Sequence, residues 1–316
     1  MRIAIIGQQD FGKSVLEAFR ARGDTVAGVF CAPEKEGARA DPLKLAALAA
    51  GLEVFQFKSL RDKEAHDALR GLDVDLGIMA FVLQFAPQDF VNIPKKGTIQ
   101  YHPSLLPKYR GPSSINWPII RGDTGTGLSI FRPNDGLDEG PVILQKETPL
   151  GPDDTLGTVY FDRLFPMGVA ALVEAADLVM AGQHREVIQD ESQASYEGWC
   201  RTAEAKINWA NHVDFVHNLI RGCNPAPGAW TALDGKIIQI YDCKKHPTRT
   251  FGTVKARIGE VSEVGPNSFF VTAQGGRIEV LRAKGEETKK VSGGELASIM
   301  GIQTASGIQT ASKFDT

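Results

Sequence analysis

Along the first half of the chain, short apolar runs alternate with stretches whose apolar residues recur at helical spacing. Residues 2–6, RIAII, form an apolar run, as in a strand buried on both faces, and Gly7 reads as the turn after it. After Gly7 the residues Phe11, Val15, Leu16 and Phe19 define a helix of about ten residues. Residues 25–30, TVAGVF, then give a second strand, and the resulting βαβ unit favours a parallel sheet. Residues 41–52, DPLKLAALAAGL, predict a helix capped by Asp41 with Pro42 in its first turn. A short strand at 52–57, a helix at 64–72 and a strand at 74–81 continue the alternation, and further strands are expected at 97–102, 126–133 and 140–147. This is a doubly wound α/β domain.

Residues 153–183 keep a helical period, with Val169, Leu172, Val173 and Ala176 on one face, and predict a core-facing helix pair. The polar, aperiodic stretch 184–206 reads as a connector. Beyond it a helix within 207–233 stops in a Pro/Gly-rich loop. Strands at 236–245, 252–264, 268–276 and 277–285, punctuated by glycine, suggest a small β-barrel or sandwich. The domain boundary is placed near residue 203, giving domains 1–203 and 204–316. Residues 301–306 and 307–312 repeat GIQTAS; two copies are too few for a solenoid and read as a loosely packed tail.

Composition narrows the class. A chain of 316 residues, 42% hydrophobic, can bury a sizeable core and agrees with two domains. The formal net charge of -3 argues against a strongly basic nucleic-acid binder. Cys31, Cys200, Cys223 and Cys243 are widely spaced and form no C-x-x-C pair, so neither a zinc site nor a disulfide framework is indicated. The apolar N-terminal run is too short for a signal segment or a membrane span, and a cytoplasmic location is expected.

Residues 7–14 read G-x-x-x-x-G-K-S, formally a phosphate-binding loop, yet no Walker-B aspartate run follows the later strands. The middle glycine of a dinucleotide fingerprint is also missing. His102 is a better candidate. It follows the strand ending at Tyr101, where ligands bind in open sheets, and Pro103 and Pro107 restrict the irregular segment after it. His212 and His217 lie five apart on a helix, do not share a face, and do not suggest a metal pair. In the loop 132–145, Asp135-Gly136 is explained by a turn, whereas Asp138 enters an apolar strand from a position where its carboxylate could share a cleft with His102 and move protons.

At these residues the chain resembles the folate-dependent formyltransferase family. HPSLLPKYRGPSSINWPIIRGD (102–123) and NDGLDEG (134–140) are similar to its two signatures, in family order and spacing. Within the family the likeness is strongest to the N-terminal hydrolase domain of 10-formyltetrahydrofolate dehydrogenase, through residues 6–30, 164–169, 195–198, 205–209 and 221–231. The resemblance implies a Rossmann-like formyltransferase domain with a parallel sheet, followed by an OB-like β-barrel domain. It implies that His102 is the catalytic histidine and Asp138 its carboxylate partner, and that Gln84, Phe85, Ala86 and Asp138 contact the folate. Gln100 stands where many of the transferases carry asparagine, and its carboxamide is a candidate donor to the formyl oxygen. The expected substrate is 10-formyltetrahydrofolate, with water as acceptor; initiator methionyl-tRNA or a small amine is the alternative acceptor, and a non-catalytic folate-binding protein is the alternative from another class. Neither a metal nor a nicotinamide cofactor is expected, since 316 residues leave no room for an aldehyde dehydrogenase domain. The likeness also weakens the phosphate-loop reading, because the family places no nucleotide there.

Overall fold

The computed structural model of the protein describes residues 1–248 and 256–304. The chain forms two compact units. One comprises residues 1–114, 126–148 and 161–197, and the other residues 115–125, 149–160 and 198 onward. Two segments internal to the first half therefore cluster with the second.

The first unit is built on a seven-stranded sheet of β1 (Arg2–Gly7), β2 (Thr25–Phe30), β3 (Val54–Phe55), β4 (Leu76–Ala80), β5 (Thr98–His102), β6 (Gly125–Phe131) and β7 (Val142–Pro149), ordered β3-β2-β1-β4-β5-β6-β7. From β3 through β5 all pairs are parallel, and the chain reverses its direction of progress at β1, making a Rossmann-like sheet. Beyond the parallel part the sheet becomes mixed: β6 runs antiparallel to β5, with His102 opposite Ser129. The β5–β6 connection holds only the six-residue helix Asn116–Arg121. At about 1.5 Å per residue such a helix cannot carry the chain back along a sheet face.

Alternation explains why the strands read as continuous apolar runs. Ile3 and Ile5 of β1 pack with helices α1 (Gln9–Ala21) and α2 (Pro42–Ala49) and the helix Phe165–Met180, while Ala4 and Ile6 pack on the other face with α3 (Lys63–Gly71) and α4 (Gln88–Val91). Leu172 and Ala176 are buried on the inward face of Phe165–Met180, with Val169 and Val173 partly buried beside them. Ahead of it, residues Tyr160–Leu164 form a π-helical turn that the periodicity did not reveal.

In the second unit, β8 (Ala229–Leu233), β9 (Lys236–Pro247), β10 (Val261–Val264), β11 (Phe269–Ala273), β12 (Gly276–Gly285) and β13 (Val291–Ser292) form an antiparallel sheet ordered β10-β11-β12-β9-β8, with β13 on β12. Its core gathers Trp209, Phe269, Ile238, Ile240 and Val280. Part of the strand expected at 252–264, and most of the repeated tail, lie outside the described residues. Among the described residues no helix is long and apolar enough to cross a membrane.

Candidate active site

His102 closes β5 and is 5% exposed. Side chains alternate along a strand, so Gln100 and His102 leave one face of β5 while Ile99 and Tyr101 enter the core on the other. The imidazole Nε2 lies 2.9 Å from the carbonyl oxygen of Tyr109. A carbonyl only accepts, so Nε2 carries the proton and Nδ1 is the working nitrogen. Nδ1 faces the Asp138 Oδ2 at 3.6 Å. That gap is too long for a direct hydrogen bond. It is suited to a small acceptor molecule exchanging a proton with one group while touching the other.

Asp138 is buried and held in the left-handed region at φ 56°. Its Oδ2 accepts the Gly111 N–H at 2.9 Å. Gly111 has φ +100°, and a Cβ there would stand 2.4 Å from the Glu197 carbonyl oxygen, so only glycine brings that N–H to the carboxylate. The His102 loop is tied down in a parallel way. Tyr109, left-handed at φ 58°, gives its N–H to Ser195 Oγ at 2.8 Å, which fixes the carbonyl that orients the imidazole.

The stretch 184–206, read from its sequence as a connector, thus supplies part of the site. Ser195 N–H donates to the Pro107 carbonyl, and Arg110 N–H to the Ser195 carbonyl. Gln189 is buried and donates to the carbonyls of Asp138 and Gly140, and buried Arg110 donates to Gln189 and Glu191. Hydrogen bonding to Glu191, and the neighbouring carboxylates, hold Arg110 still more firmly protonated than a free guanidinium, against the opposing effect of burial. None of these residues has a period or a spacing that would mark it; the one trace in the sequence is the family-like SYEG segment at 195–198.

The loop after β4 starts beside β5, its strand neighbour. Phe81, Leu83 and Phe85 are exposed there, an apolar surface of the kind a planar ring system covers. Of the expected folate contacts, Gln84 donates its side-chain amide to the carbonyls of Phe57 and Lys58, at 2.8 and 3.1 Å, so its side chain holds the loop. Phe85 lies under the Arg61 guanidinium at 4.5 Å, and Ala86 is buried against Phe90. Gln100 is half-buried, and its carboxamide makes no hydrogen bond among the described residues. Asp135, read as a turn residue, accepts the backbone N–H of Gln88 at the start of α4 at 2.8 Å.

The phosphate-loop match dissolves in the structure. Helix α1 begins at Gln9, so the residues that would form the loop are already helical. The Gln9 N–H is taken by both carboxylate oxygens of Asp41, at 3.0 and 2.9 Å, which puts a negative charge where a phosphate would sit. Gly7 is glycine because a Cβ would approach the Ala80 carbonyl to 2.1 Å. His212 caps the helix Val213–Gly222 through Nδ1, while His217 is buried in the middle of that helix.

An α/β unit with this strand order, carrying a histidine at the end of β5 against a carboxylate, followed by an antiparallel β unit, has the architecture of the formyl transferases. The sequence pattern of the formyl transferase family matches residues 1–176 and that of the formyl transferase C-terminal domain matches residues 200–300; the chain belongs to this family. It is 42% identical over 246 residues to the mitochondrial 10-formyltetrahydrofolate dehydrogenase of Homo sapiens, covering 76% of this chain and 26% of that protein. The chain thus spans about a quarter of the length of that relative. With the methionyl-tRNA formyltransferase of Syntrophus aciditrophicus (strain SB) it shares 32% identity over 295 residues, 92% of this chain and 93% of that one. Among solved structures, HypX from Aquifex aeolicus in complex with tetrahydrofolic acid superposes with a TM-score of 0.68 at 16% identity, covering 100% of this chain and 51% of that one. The N-formyltransferase from Helicobacter canadensis, in complex with folinic acid and dTDP-3-aminofucose, gives 0.67 at 17% identity, over 88% and 98%. At such identities the two structures establish a shared fold.

Proposed function

We propose that the protein takes the formyl group of 10-formyltetrahydrofolate and passes it to water, releasing tetrahydrofolate and formate. The observation that carries formyl transfer, whichever the acceptor, is the buried pair of His102 Nδ1 and Asp138 Oδ2, 3.6 Å apart, with the uncommitted carboxamide of Gln100 on the same strand face. Asp138 takes a proton from the attacking water as its oxygen bonds to the formyl carbon. Asp138 passes that proton on to His102 Nδ1, whose N–H then donates, with the Gln100 carboxamide, to the oxyanion that forms. The tetrahedral intermediate then breaks its C–N bond, N10 leaves with the proton returned through the pair, and formate departs. The folate ring system lies against the exposed apolar loop 81–86, where Phe85 offers surface and the backbone offers polar groups. The 42% identity to part of a 10-formyltetrahydrofolate dehydrogenase supports 10-formyltetrahydrofolate as the formyl donor.

A second reading keeps the donor and replaces water with an amine, above all the amino group of an aminoacyl-tRNA. The near full-length match to a methionyl-tRNA formyltransferase favours it, while the net charge of -3 weighs against a polyanionic partner. Incubation with 10-formyltetrahydrofolate in amine-free buffer decides between them. Formate released in step with tetrahydrofolate over many turnovers establishes hydrolysis. No release until charged initiator tRNA or a small amine is added establishes transfer. Tight folate binding with no turnover under either condition makes the protein a folate binder instead.

A further inference from the structure

We propose that Gln189, oriented by Arg110, is a positioning residue that holds the Asp138 carboxylate in reach of His102. The inference rests on the reading of Asp138 and His102 as the proton-moving pair, but the contacts that motivate it are independent of which acceptor is used. Asp138 sits at φ 56°, a left-handed conformation that aspartate adopts more readily than most residues and that fixes where its carboxylate points. Its side chain is fixed at one point, by the Gly111 N–H. Its backbone is fixed by Gln189, whose Nε2 donates to the Asp138 carbonyl at 2.8 Å and to the Gly140 carbonyl at 2.7 Å, clamping both ends of the turn with one amide group.

An amide can be turned either way round, and Arg110 decides which. Its Nε and Nη2 donate to Gln189 Oε1 at 3.2 and 2.9 Å, so the oxygen is held toward the guanidinium and the NH2 toward the carbonyls. Arg110 is anchored in turn by Glu191, to which Nη1 and Nη2 donate at 2.9 and 2.6 Å. The segment carrying Gln189 is pinned to the first residue of β7 by paired backbone hydrogen bonds between Val142 and Val187, both 2.8 Å. Gln189 and Arg110 are 7% and 5% exposed. Arg110 adjoins Gly111, so one residue pair links the backbone of the aspartate loop to the glycine whose N–H binds its side chain.

The test is Gln189→Glu. A glutamate still accepts from Arg110, but its second oxygen faces two carbonyl oxygens and repels them. The fold is retained while the clamp is lost. Two readouts are taken. Steady-state kinetics with 10-formyltetrahydrofolate should show kcat lowered by about 10²-fold, the scale of a displacement near 1 Å, with KM unchanged within about twofold. Amide hydrogen exchange should show the Gly111 N–H exchanging about tenfold faster, because its acceptor has been released, while amides of β5 keep their rates. Gln189→Leu, which removes the donor without adding charge, should move both readouts in the same direction. Wild-type kcat in either folded variant, or unchanged Gly111 protection, overturns the assignment. So does a variant that loses its cooperative melt, since Gln189 would then serve the fold and not the site. If the wild-type protein releases no formyl group from 10-formyltetrahydrofolate, the reaction assigned above fails, and the Gly111 exchange rates alone still decide the role of Gln189.

Discussion

Replacing Asp138 by asparagine isolates the carboxylate's chemistry from its part in the fold. Asparagine is among the residues that accept a left-handed backbone, so φ 56° is kept without new strain. Its Oδ1 can take over the 2.9 Å hydrogen bond from the Gly111 N–H. What disappears is the negative charge and the ability to take a proton opposite His102 Nδ1. A general base contributes about 10²–10⁴-fold, so Asp138→Asn should lose roughly 3–5 kcal/mol of transition-state stabilisation at about 1.4 kcal/mol per decade. Asp138→Ala makes the contrast. Alanine in a left-handed position costs about 1–2 kcal/mol, and the buried Gly111 N–H left without an acceptor costs about 1–3 kcal/mol more. The alanine variant should therefore lose the same rate and in addition unfold at lower denaturant concentration. Formate release from 10-formyltetrahydrofolate gives the rates, and urea unfolding of both variants gives the stabilities. An asparagine variant that keeps more than a tenth of the wild-type kcat refutes the general-base role; an alanine variant as stable as wild type refutes the account of the loop.

Asp41→Ala should destabilise the first unit by about 1–3 kcal/mol in urea unfolding, since the buried Asp41 serves the N–H groups of Gln9 and Leu43 at the starts of two helices; a loss below about 0.5 kcal/mol counts against that reading. Gln100→Leu should lower kcat by about 10²-fold with little change in stability, and a leucine variant at wild-type rate leaves oxyanion stabilisation to His102. His217 is buried without a hydrogen bond at Nδ1, and burial first, then the charges of Lys245 and Arg221, which outweigh Asp153 and Asp214, push it down to about 4. Above the ordinary value near 6.5 both folded and unfolded states are neutral and the stability contribution is complete. As pH falls from there toward 4 only the unfolded state gains the proton, so roughly 3 kcal/mol is lost across that window. Between pH 7 and pH 4.5 the urea midpoint of the wild type should fall further than that of His217→Leu; parallel curves count against the assignment.

Physical locality explains which parts of this architecture the sequence reveals. The βαβ opening is legible because strands covered on both faces are apolar at every position, as at Ile3 to Ile6. The Asp41 cap is legible because a cap acts over two residues, here on the Leu43 N–H at 2.8 Å. The direction of β6 is not legible, because alternation marks a strand and says nothing of which way it runs. Nor is the approach of Asp138 to His102, 36 positions apart, visible in any period; the family resemblance joined them before the geometry did. Gln189 escaped notice for the same reason in stronger form. Its partners Asp138 and Arg110 lie 51 and 79 positions away, and side-chain hydrogen bonds to distant backbone impose no pattern on their own neighbourhood. A polar, aperiodic stretch can be a tether or a scaffold, and composition alone does not distinguish them.

In the proposed mechanism the choice of acceptor lies outside the His102–Asp138 pair. With Nε2 committed to the Tyr109 carbonyl, His102 offers one nitrogen, and Asp138 offers one carboxylate facing it. That pair can deprotonate water or an amine by the same geometry. Water is always present, so a transferase has to keep it from the formyl carbon until the amine arrives, whereas a hydrolase need not. In that reading the difference lies in the surroundings of the pair, where the loop after β4 exposes Phe81, Leu83 and Phe85, Leu137 is exposed next to Asp138, and Gln100 shares a strand with His102. Under the proposed function these apolar side chains would take the folate ring and would give an amine no partner for its charge. For these reasons the acceptor assay in amine-free buffer reads the surroundings of the pair, while the Asp138 and Gln189 variants read the pair itself, and the two sets of results are independent.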